Sequence, residues 1–500
     1  ARDHFGVNPF YYYQNSNVFA FASEIKALIC LPEISLKINH DRLAVFPIST
    51  VSEKKSSFFE NIYRLQPGHY ILLDTNHKSV VEKRFWSLEP ARLDFKKNHE
   101  YHEAFFGIFR EAVAARLRTP HKTGSYLSGG LDSASIVCMA CSELFAENPS
   151  SFHTFSGVFD RLGECDERQY FQSVLDRHGP NAHLLISDEL KAGEIFDRLV
   201  AIEDEPFYAP HFFMNWHLLT QVKENDVKVL LDGHDGDSAI SYGYGLLPEL
   251  ALKGRLFRLY KEYQAFPNET PRRTILSILY LYKELLSSFL PGSEKRSKHL
   301  AALRSSLNYL EPEFRKSTKV DETITALLNK LPNTCQTERK RHYLGVMQPF
   351  HPHALEFLEK TSSRFNITQS FPFFDIRLIS FCLALPAEQK LQNGLNRSIV
   401  RNSLRDILPD EIRLRHEKSR FNASLMDAFT RRDREWLRAS VEDANENVYA
   451  VFDRNQITPI LKNCYAKDGS PTILELSKTL FFLSIAKWFD KPEVKGASFL

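Results

Sequence analysis

The residue types best suited to chemistry in this 500-residue chain are concentrated in Ser128-Gly129-Gly130-Leu131-Asp132-Ser133, between a short apolar run ending at Leu127 and an apolar segment reaching Val137. That order reads as strand, loop and helix N-terminus. The first amides of a helix have no intrahelical partner, and glycine lets the backbone close around an anion, so phosphate is favoured at such a turn. Ser128 and Ser133 add hydroxyl donors, while Asp132 would repel a bare phosphate and makes better sense holding Mg²⁺ between phosphates. The spacing is neither GxxxxGK(S/T) nor GxGxxG, which excludes a Walker loop and a dinucleotide turn. The plain alternative is a serine-rich turn in front of a core helix.

A second constellation follows another apolar run: Leu231-Asp232-Gly233-His234-Asp235-Gly236-Asp237-Ser238. Carboxylates crowded at a strand end repel one another unless a cation neutralises them, so Mg²⁺ shared by Asp132 and Asp237 is expected, against a solvated acidic turn. Asp166-Glu167 and Glu203-Asp204-Glu205-Pro206 read as helix caps or exposed faces and are given no catalytic role.

These loops need elements to hold them. Phe105, Ile108, Phe109, Ala112, Val113 and Leu117 recur at helical spacing, and Pro120 ends that helix before the loop strand. Strand-like runs at Phe152–Phe159, His183–Ile186 and Val227–Leu231 alternate with helix-length segments at Glu167–Arg177 and Phe212–Lys223. Strands and helices alternating at that length imply an α/β fold, a parallel sheet with helices on both faces, with ligands beyond the carboxyl ends of the strands. Before it, the stretch from Ala1 to Trp86 alternates short β-like runs with Pro and Gly turns, a β-rich domain. Residues 246 to 345 read as helical, with basic patches such as Lys295-Arg296-Ser297-Lys298 as solvated faces.

Composition narrows the partners. A net charge of +2 gives no reason to invoke nucleic acid. The seven cysteines are odd in number and scattered, which predicts reduced thiols in a cytoplasmic protein, and Cys138 and Cys141, inside the helix after the loop, read as packed core. The apolar runs Thr274–Leu290 and Leu476–Phe489 are broken by charges and fall short of the roughly 18–20 apolar residues of a bilayer crossing. The chain opens at Ala1 inside what reads as a folded domain, with no initiator Met and no signal peptide, so an upstream segment is expected to be missing.

Ser128 to Ser133 resembles the SGGLDS loop of the ATP pyrophosphatase families. Further landmarks lie at Phe371-Pro372-Phe373-Phe374-Asp375, Gly394-Leu395-Asn396-Arg397, Arg401, Leu408-Pro409 and Arg415-His416-Glu417-Lys418-Ser419-Arg420-Phe421. In this order they resemble the asparagine synthetase family. The resemblance implies an adenine nucleotide α-hydrolase-like domain over 100–490, preceded over 1–95 by the second half of an Ntn-type glutamine amidotransferase-like domain, whose nucleophilic Cys has no counterpart at Ala1. It also implies ATP and Mg²⁺, with attack of a carboxylate on the α-phosphorus, release of pyrophosphate, and displacement of AMP by an amine. The residues it places at the nucleotide are Leu127, Ser128, Gly129, Gly130, Asp132, Ser133, Gly157, Asp232 and Gly233, with Asp132 and Asp237 for the metal and Lys418 and His234 for catalysis. His234 stands where the family's SGEGADE motif has its catalytic Glu, and Arg397 where the family usually has Lys. With LDGHDGD and FPFFD the pattern looks closest to the branch that includes lasso peptide cyclases. That predicts an Asp or Glu side chain of a precursor peptide as acceptor, the peptide's own amine as donor and precursor-processing partners. Aspartate with ammonia or glutamine is the alternative, an inactive assembly protein a further one. No membrane or nucleic-acid partner is expected.

Overall fold

The computed structural model describes residues 1–495 other than 48–53, 78, 94, 210, 290–303, 306, 331–336, 417, 418 and 420. Two expectations, the charge run at 295–298 and the lysine at 418, therefore lie outside the described residues.

The N-terminal region is antiparallel. Strand β1 (Tyr11–Gln14) lies between β2 (Phe19–Ala22) and β3 (Ile62–Arg64), and β4 (His69–Asp74) forms a hairpin with β5 (Ser79–Arg84). The hairpin turn is closed by Asp74 Oδ1, which accepts from the backbone N–H groups of Asn76 (2.9 Å) and His77 (3.1 Å), an Asx turn of the kind Asp favours.

The helix Asn98–Arg116 then buries Phe105, Phe109, Ala112 and Val113, one stripe at the spacing read from the sequence. It leads into a five-stranded sheet made of β6 (Thr123–Tyr126), β7 (His153–Val158), β8 (Asn181–Ile186), β9 (Val229–Leu231) and β10 (Thr368–Ser370). The spatial order is β10-β9-β6-β7-β8, and every pairing is parallel. Helices Leu131–Met139, Arg168–His178 and Phe212–Glu224 cross between strands, so the α/β class with a covered parallel sheet holds. Strand β10 was not anticipated. Its three residues, Thr368, Gln369 and Ser370, are polar and carry no alternation; they join the sheet only because their backbone pairs with Val229 to Leu231.

From β6 the chain moves outward through β7 and β8 and then returns to the other side of β6 as β9. The two adjacent strands whose connections leave in opposite directions open a crevice at their carboxyl ends. The loop after β6 is Ser128 to Ser133 and the loop after β9 is Asp232 to Asp235, so both chemical stretches face one crevice.

Cys138, in the helix Leu131–Met139, and Cys141, in the turn that continues it, are buried in the core; burial raises both thiols, Cys141 to about 12, so neither is a reactive thiolate. Among the described residues no helix is long and apolar enough to cross a membrane.

The two regions are joined by buried charge. Glu356, in the helix Phe350–Ser363, accepts from Arg2 Nη2 (2.6 Å), Arg64 Nε (3.0 Å) and the Tyr11 hydroxyl (3.0 Å). Arg64 also pairs with Glu205, which accepts from the Phe58 N–H at 2.7 Å. Asp204 accepts from Lys360 Nζ (3.1 Å) and the Ile25 N–H (2.8 Å). The Glu203-Asp204-Glu205 run, expected as a cap or exposed face, is buried in this clasp instead. A polar run survives burial there because each of the last two carboxylates meets a cation, and each also accepts from a backbone N–H of the N-terminal region.

Candidate active site at the switch point of the parallel sheet

The Ser128 to Ser133 turn is closed by its own hydroxyls. The Ser128 N–H donates to Ser133 Oγ (3.0 Å), the two hydroxyl oxygens are 2.9 Å apart, and the Gly130 N–H donates to Ser128 Oγ (3.2 Å). Gly130 caps the helix Leu131–Met139 without a side chain, which leaves the helix N-terminus open to an anion. Gly129 is required by crowding: a Cβ there would lie 2.8 Å from Tyr170 Cβ and 2.9 Å from both Arg415 Nη1 and Glu167 Cβ.

Those neighbours brace the turn. Glu167 Oε2 accepts from the Gly129 N–H (3.2 Å), and its Oε1 lies 2.8 Å from Arg415 Nη2. Arg415 in turn donates to the Gly129 carbonyl (2.7 Å) and lies 3.7 Å from the centre of the Tyr170 ring. Glu167 was read as a cap or exposed face, but it is 3% exposed and holds the turn from the loop after β7. Its signal was positional, since residues just after a strand neighbouring β6 enter the same crevice.

Leu127 is buried, with its N–H donated to the Phe155 carbonyl (2.9 Å) and its carbonyl accepting from Ser156 Oγ (2.6 Å), so its backbone is committed inside the sheet. Gly157, on β7, makes room for Met214 Sδ and Ser187 Oγ, 3.0 and 3.1 Å from where its Cβ would stand.

The loop after β9 packs onto the first. A Cβ on Gly233 would lie 2.8 Å from the Ser133 N, and one on Gly236 would lie 2.8 Å from the Asp132 carboxyl carbon. Both glycines therefore permit a contact that any side chain would prevent. Asp235 sits at φ 53°, a left-handed conformation that Asp tolerates better than most residues.

The carboxylates of this loop do not converge on one point, and each has its own protein partner. Asp232 accepts from Gln369 Nε2 (2.6 Å) and from the His234 N–H (2.9 Å), and burial raises its pKa above the ordinary range. Asp235 accepts from His351 Nδ1 (2.6 Å) and lies 3.0 Å from His234 Nε2; although burial opposes its charge, the two imidazoles hold it well below the usual carboxylate range. Asp237 accepts from the Tyr242 hydroxyl. Gln369 comes from the unanticipated strand β10, so this support was invisible at the β9 loop itself. Crowding of these carboxylates is thus relieved within the protein, and does not by itself demand a cation.

Arg397 pairs with Asp132 and feels the charge of Asp237. Its Nη1 is 2.6 and 2.7 Å from the two oxygens of Asp132; burial opposes its charge, and the carboxylates of Asp132 and Asp237 override that and raise its pKa. Two carboxylates around one buried cation form a locus suited to a divalent ion completed by phosphate oxygens and water, the set Mg²⁺ favours. Among the described residues no group of three or more His, Cys, Asp or Glu is arranged to hold a metal by protein ligands alone.

His234 is partly exposed at the crevice, its ring edge-on to Phe371 at 6.2 Å. Burial disfavours its charged form, but Asp235, Asp232 and Asp237 outweigh this and raise its pKa. The structure thus brings together Ser128 to Ser133, Asp132, Gly233, His234 and Asp237. Lys418 lies outside the described residues, three positions beyond Arg415.

An anion-receptive helix start, two facing carboxylates and an imidazole in one crevice suit phosphate chemistry next to proton transfer. Comparison with known proteins agrees. The asparagine synthase model matches residues 106–490, and the glutamine amidotransferase domain model matches residues 1–86. The glutamine-hydrolyzing asparagine synthetase 3 of Bacillus subtilis (strain 168) is 23% identical over 510 aligned positions, 98% of this chain and 76% of that protein. Asparagine synthetase 2 of the same organism is 29% identical over 47% of this chain and 33% of its own length. Amidase chry2 of Gibberella zeae is 26% identical over 47% of this chain and 36% of its own length. With the family model spanning the whole parallel-sheet region, the chain belongs to the asparagine synthase family.

Proposed function

We propose that this chain is an ATP-dependent carbon–nitrogen ligase that activates a carboxylate as its acyl-adenylate and passes it to an amine. The observation that carries this reading is the contact of the two crevice loops, with Gly233 against Ser133 and Gly236 against Asp132. It sets a phosphate-receptive turn beside an imidazole at the switch point.

In the first half-reaction a carboxylate oxygen attacks the α-phosphorus of ATP, the bond to the bridging oxygen breaks, and pyrophosphate leaves with the electron pair. The N-terminus of the helix Leu131–Met139 and the hydroxyls of Ser128 and Ser133 receive the β- and γ-phosphates, and the Glu167–Arg415 brace keeps the turn closed around them. Asp132 and Asp237 would hold Mg²⁺, which when bound neutralises charge on the departing pyrophosphate. Arg397, released from Asp132, offers its guanidinium to the same phosphates. Lys418 is assigned to the charge that develops on the α-phosphate.

In the second half-reaction the amine attacks the acyl carbon, AMP leaves with the electron pair of the acyl–oxygen bond, and the amine loses a proton. His234 takes that proton in its neutral form, with Asp235 holding the ring. Holding acid, ATP and amine in one crevice supplies the proximity that a three-component reaction lacks in water.

His234 at the place of the family's Glu favours an acceptor amine other than free ammonia, a peptide amine above all, with an Asp or Glu side chain as the activated acid. Aspartate with ammonia or glutamine is the second reading, favoured by the relatives' names and by the amidotransferase match over 1–86. Product analysis of ATP turnover tests the shared chemistry: AMP and pyrophosphate are expected, and ADP with phosphate would overturn it. The acceptor is tested by His234→Glu, which on the peptide reading gains ammonia-dependent asparagine formation that the parent lacks; on the aspartate reading the parent already has it.

A further inference from the structure

The turn after the short helix Gly236–Ile240 is held more firmly than a half-exposed surface turn needs. Ser241 takes φ 73° and ψ 141°, a positive φ that residues with side chains rarely adopt. Such a conformation persists where its surroundings over-determine it, and here buried Glu338 grips the turn at both ends. One Glu338 oxygen accepts from the Ser241 hydroxyl and the other from the Gly245 N–H (2.8 Å). Lys390 closes the middle: its buried Nζ is 3.7 Å from Glu338 Oε1, and a Cβ on Gly243 would lie 2.6 Å from its carbonyl carbon.

What this turn presents is Tyr242. Its hydroxyl donates to Asp237 Oδ2, and its ring centre lies 5.4 Å from Arg397 Cζ. Arg397 in turn holds both oxygens of Asp132. Asp132 belongs to the loop after β6 and Asp237 to the segment after β9, and the contacts Asp237–Tyr242–Arg397–Asp132 run from one to the other. We propose that Tyr242 is a positioning residue for adenylation, which fixes Asp237 for the metal and backs the Arg397 guanidinium; this role rests on the ligase reading above.

The donor pattern suits that task. Asp237 Oδ1 accepts from the Ser238 N–H (2.9 Å) and Oδ2 from Tyr242, so the carboxylate is held by both oxygens while each keeps a lone pair for a divalent ion. A neutral hydroxyl does this without a positive charge that would compete with the ion. The ring is steadied as well. Tyr244 stacks on it at 5.7 Å with 3° between the planes, and the Tyr244 hydroxyl accepts from Nδ2 of Asn396 (3.1 Å), the neighbour of Arg397. Arg397 Nε is buried with no hydrogen-bond partner among the described residues, so the guanidinium is not fully committed to Asp132. An aromatic face attracts a guanidinium, and Tyr242 therefore remains a partner for Arg397 when Asp132 exchanges it for a metal ion.

The test uses the full chain and two readouts: calorimetric binding of ATP with Mg²⁺ or with EDTA, no acceptor carboxylate being present, and ATP–pyrophosphate exchange across a Mg²⁺ series. Tyr242→Phe deletes only the hydroxyl. It should weaken binding of Mg·ATP about tenfold, the low end of what one hydrogen bond to a charged group contributes, with little effect on ATP in EDTA. The Mg²⁺ midpoint of exchange should rise in parallel, with kcat falling far less. Tyr242→Ala, which also removes the ring behind Arg397, should lower kcat in addition. Tyr244→Phe alters the same turn at the hydroxyl bound to Asn396 and should keep the parent's Mg²⁺ midpoint. A parent-like Mg²⁺ midpoint in Tyr242→Phe, equal weakening with Mg²⁺ and with EDTA, or absence of Mg²⁺-dependent ATP binding to the parent would overturn the proposal. Weakened Mg·ATP binding by Tyr242→Phe in a protein without ATP–pyrophosphate exchange would sink the ligase reading and leave the hold of Tyr242 on Asp237 standing.

Discussion

Two buried charge clusters in this molecule differ in one respect. In the clasp between the N-terminal region and the sheet, Glu356, Glu205 and Asp204 meet cations, hydroxyls or backbone donors within a closed network. In the crevice, Arg397 pairs with Asp132, and Asp237, which accepts from the Tyr242 hydroxyl, adds its charge, beside a helix start that no side chain caps. Buried charge is costly in both places, but only the second arrangement can exchange a protein partner for a ligand without leaving the rest unsatisfied. The comparison separates charge that fixes structure from charge poised for chemistry.

The sharpest way to break it is at the clasp. Glu356→Ala removes the acceptor shared by Arg2, Arg64 and the Tyr11 hydroxyl and leaves Arg2 without a carboxylate, and should cost about 3–5 kcal/mol in urea unfolding, with adenylation per folded molecule retained. Equal loss of stability and specific activity would erase the distinction. In the crevice the effects should invert: Asp132→Asn keeps an acceptor for Arg397 but weakens metal binding, and should lower pyrophosphate exchange on the order of 10²–10³-fold with little change in unfolding.

Glu203 sharpens the clasp side through pH. Burial, with Asp204 and Glu205 adding to it, raises its pKa to about 7 despite Lys360, against an ordinary 4.5. The folded chain therefore holds this proton more tightly than the unfolded one; the resulting stability is complete below pH 4.5 and is lost as pH rises through 7. Glu203→Gln removes that loss and should gain up to about 3 kcal/mol over the parent at pH 8 relative to pH 4.5, seen as a pH-dependent difference in Tm. A difference that is flat with pH would count against a buried, proton-holding Glu203. The smallest effect is expected at the loop brace. Glu167→Gln keeps the Gly129 contact and weakens the tie to Arg415, and should raise KM for ATP about tenfold, the cost of about one charge-assisted hydrogen bond.

Much of the fold was legible because it rests on local pattern. The stripe Phe105, Phe109, Ala112 and Val113 and the strand–helix alternation from β6 to β9 are short-range signals. Strand β10 was not, since Thr368 to Ser370 becomes a strand only through pairing with a segment far earlier in the chain. The crevice was legible where a loop carried its own chemistry, as at Ser128 to Ser133 and Asp237. Glu167 and Gln369 escaped, and Arg415 showed only as part of a family landmark, because their roles come from contacts between distant segments. The Glu203-Asp204-Glu205 run was misjudged for the same reason: three acids in a row look solvated until the cations that bury them are in view.

The central claim, that the crevice activates a carboxylate with ATP, is tested most directly by exchange of labelled pyrophosphate into ATP with the full chain and Mg²⁺, in the presence and absence of aspartate or an Asp-bearing peptide. Exchange that requires the carboxylate and collapses in Asp132→Asn is the predicted result. Absence of exchange with either carboxylate, or exchange indifferent to Asp132→Asn, would contradict it.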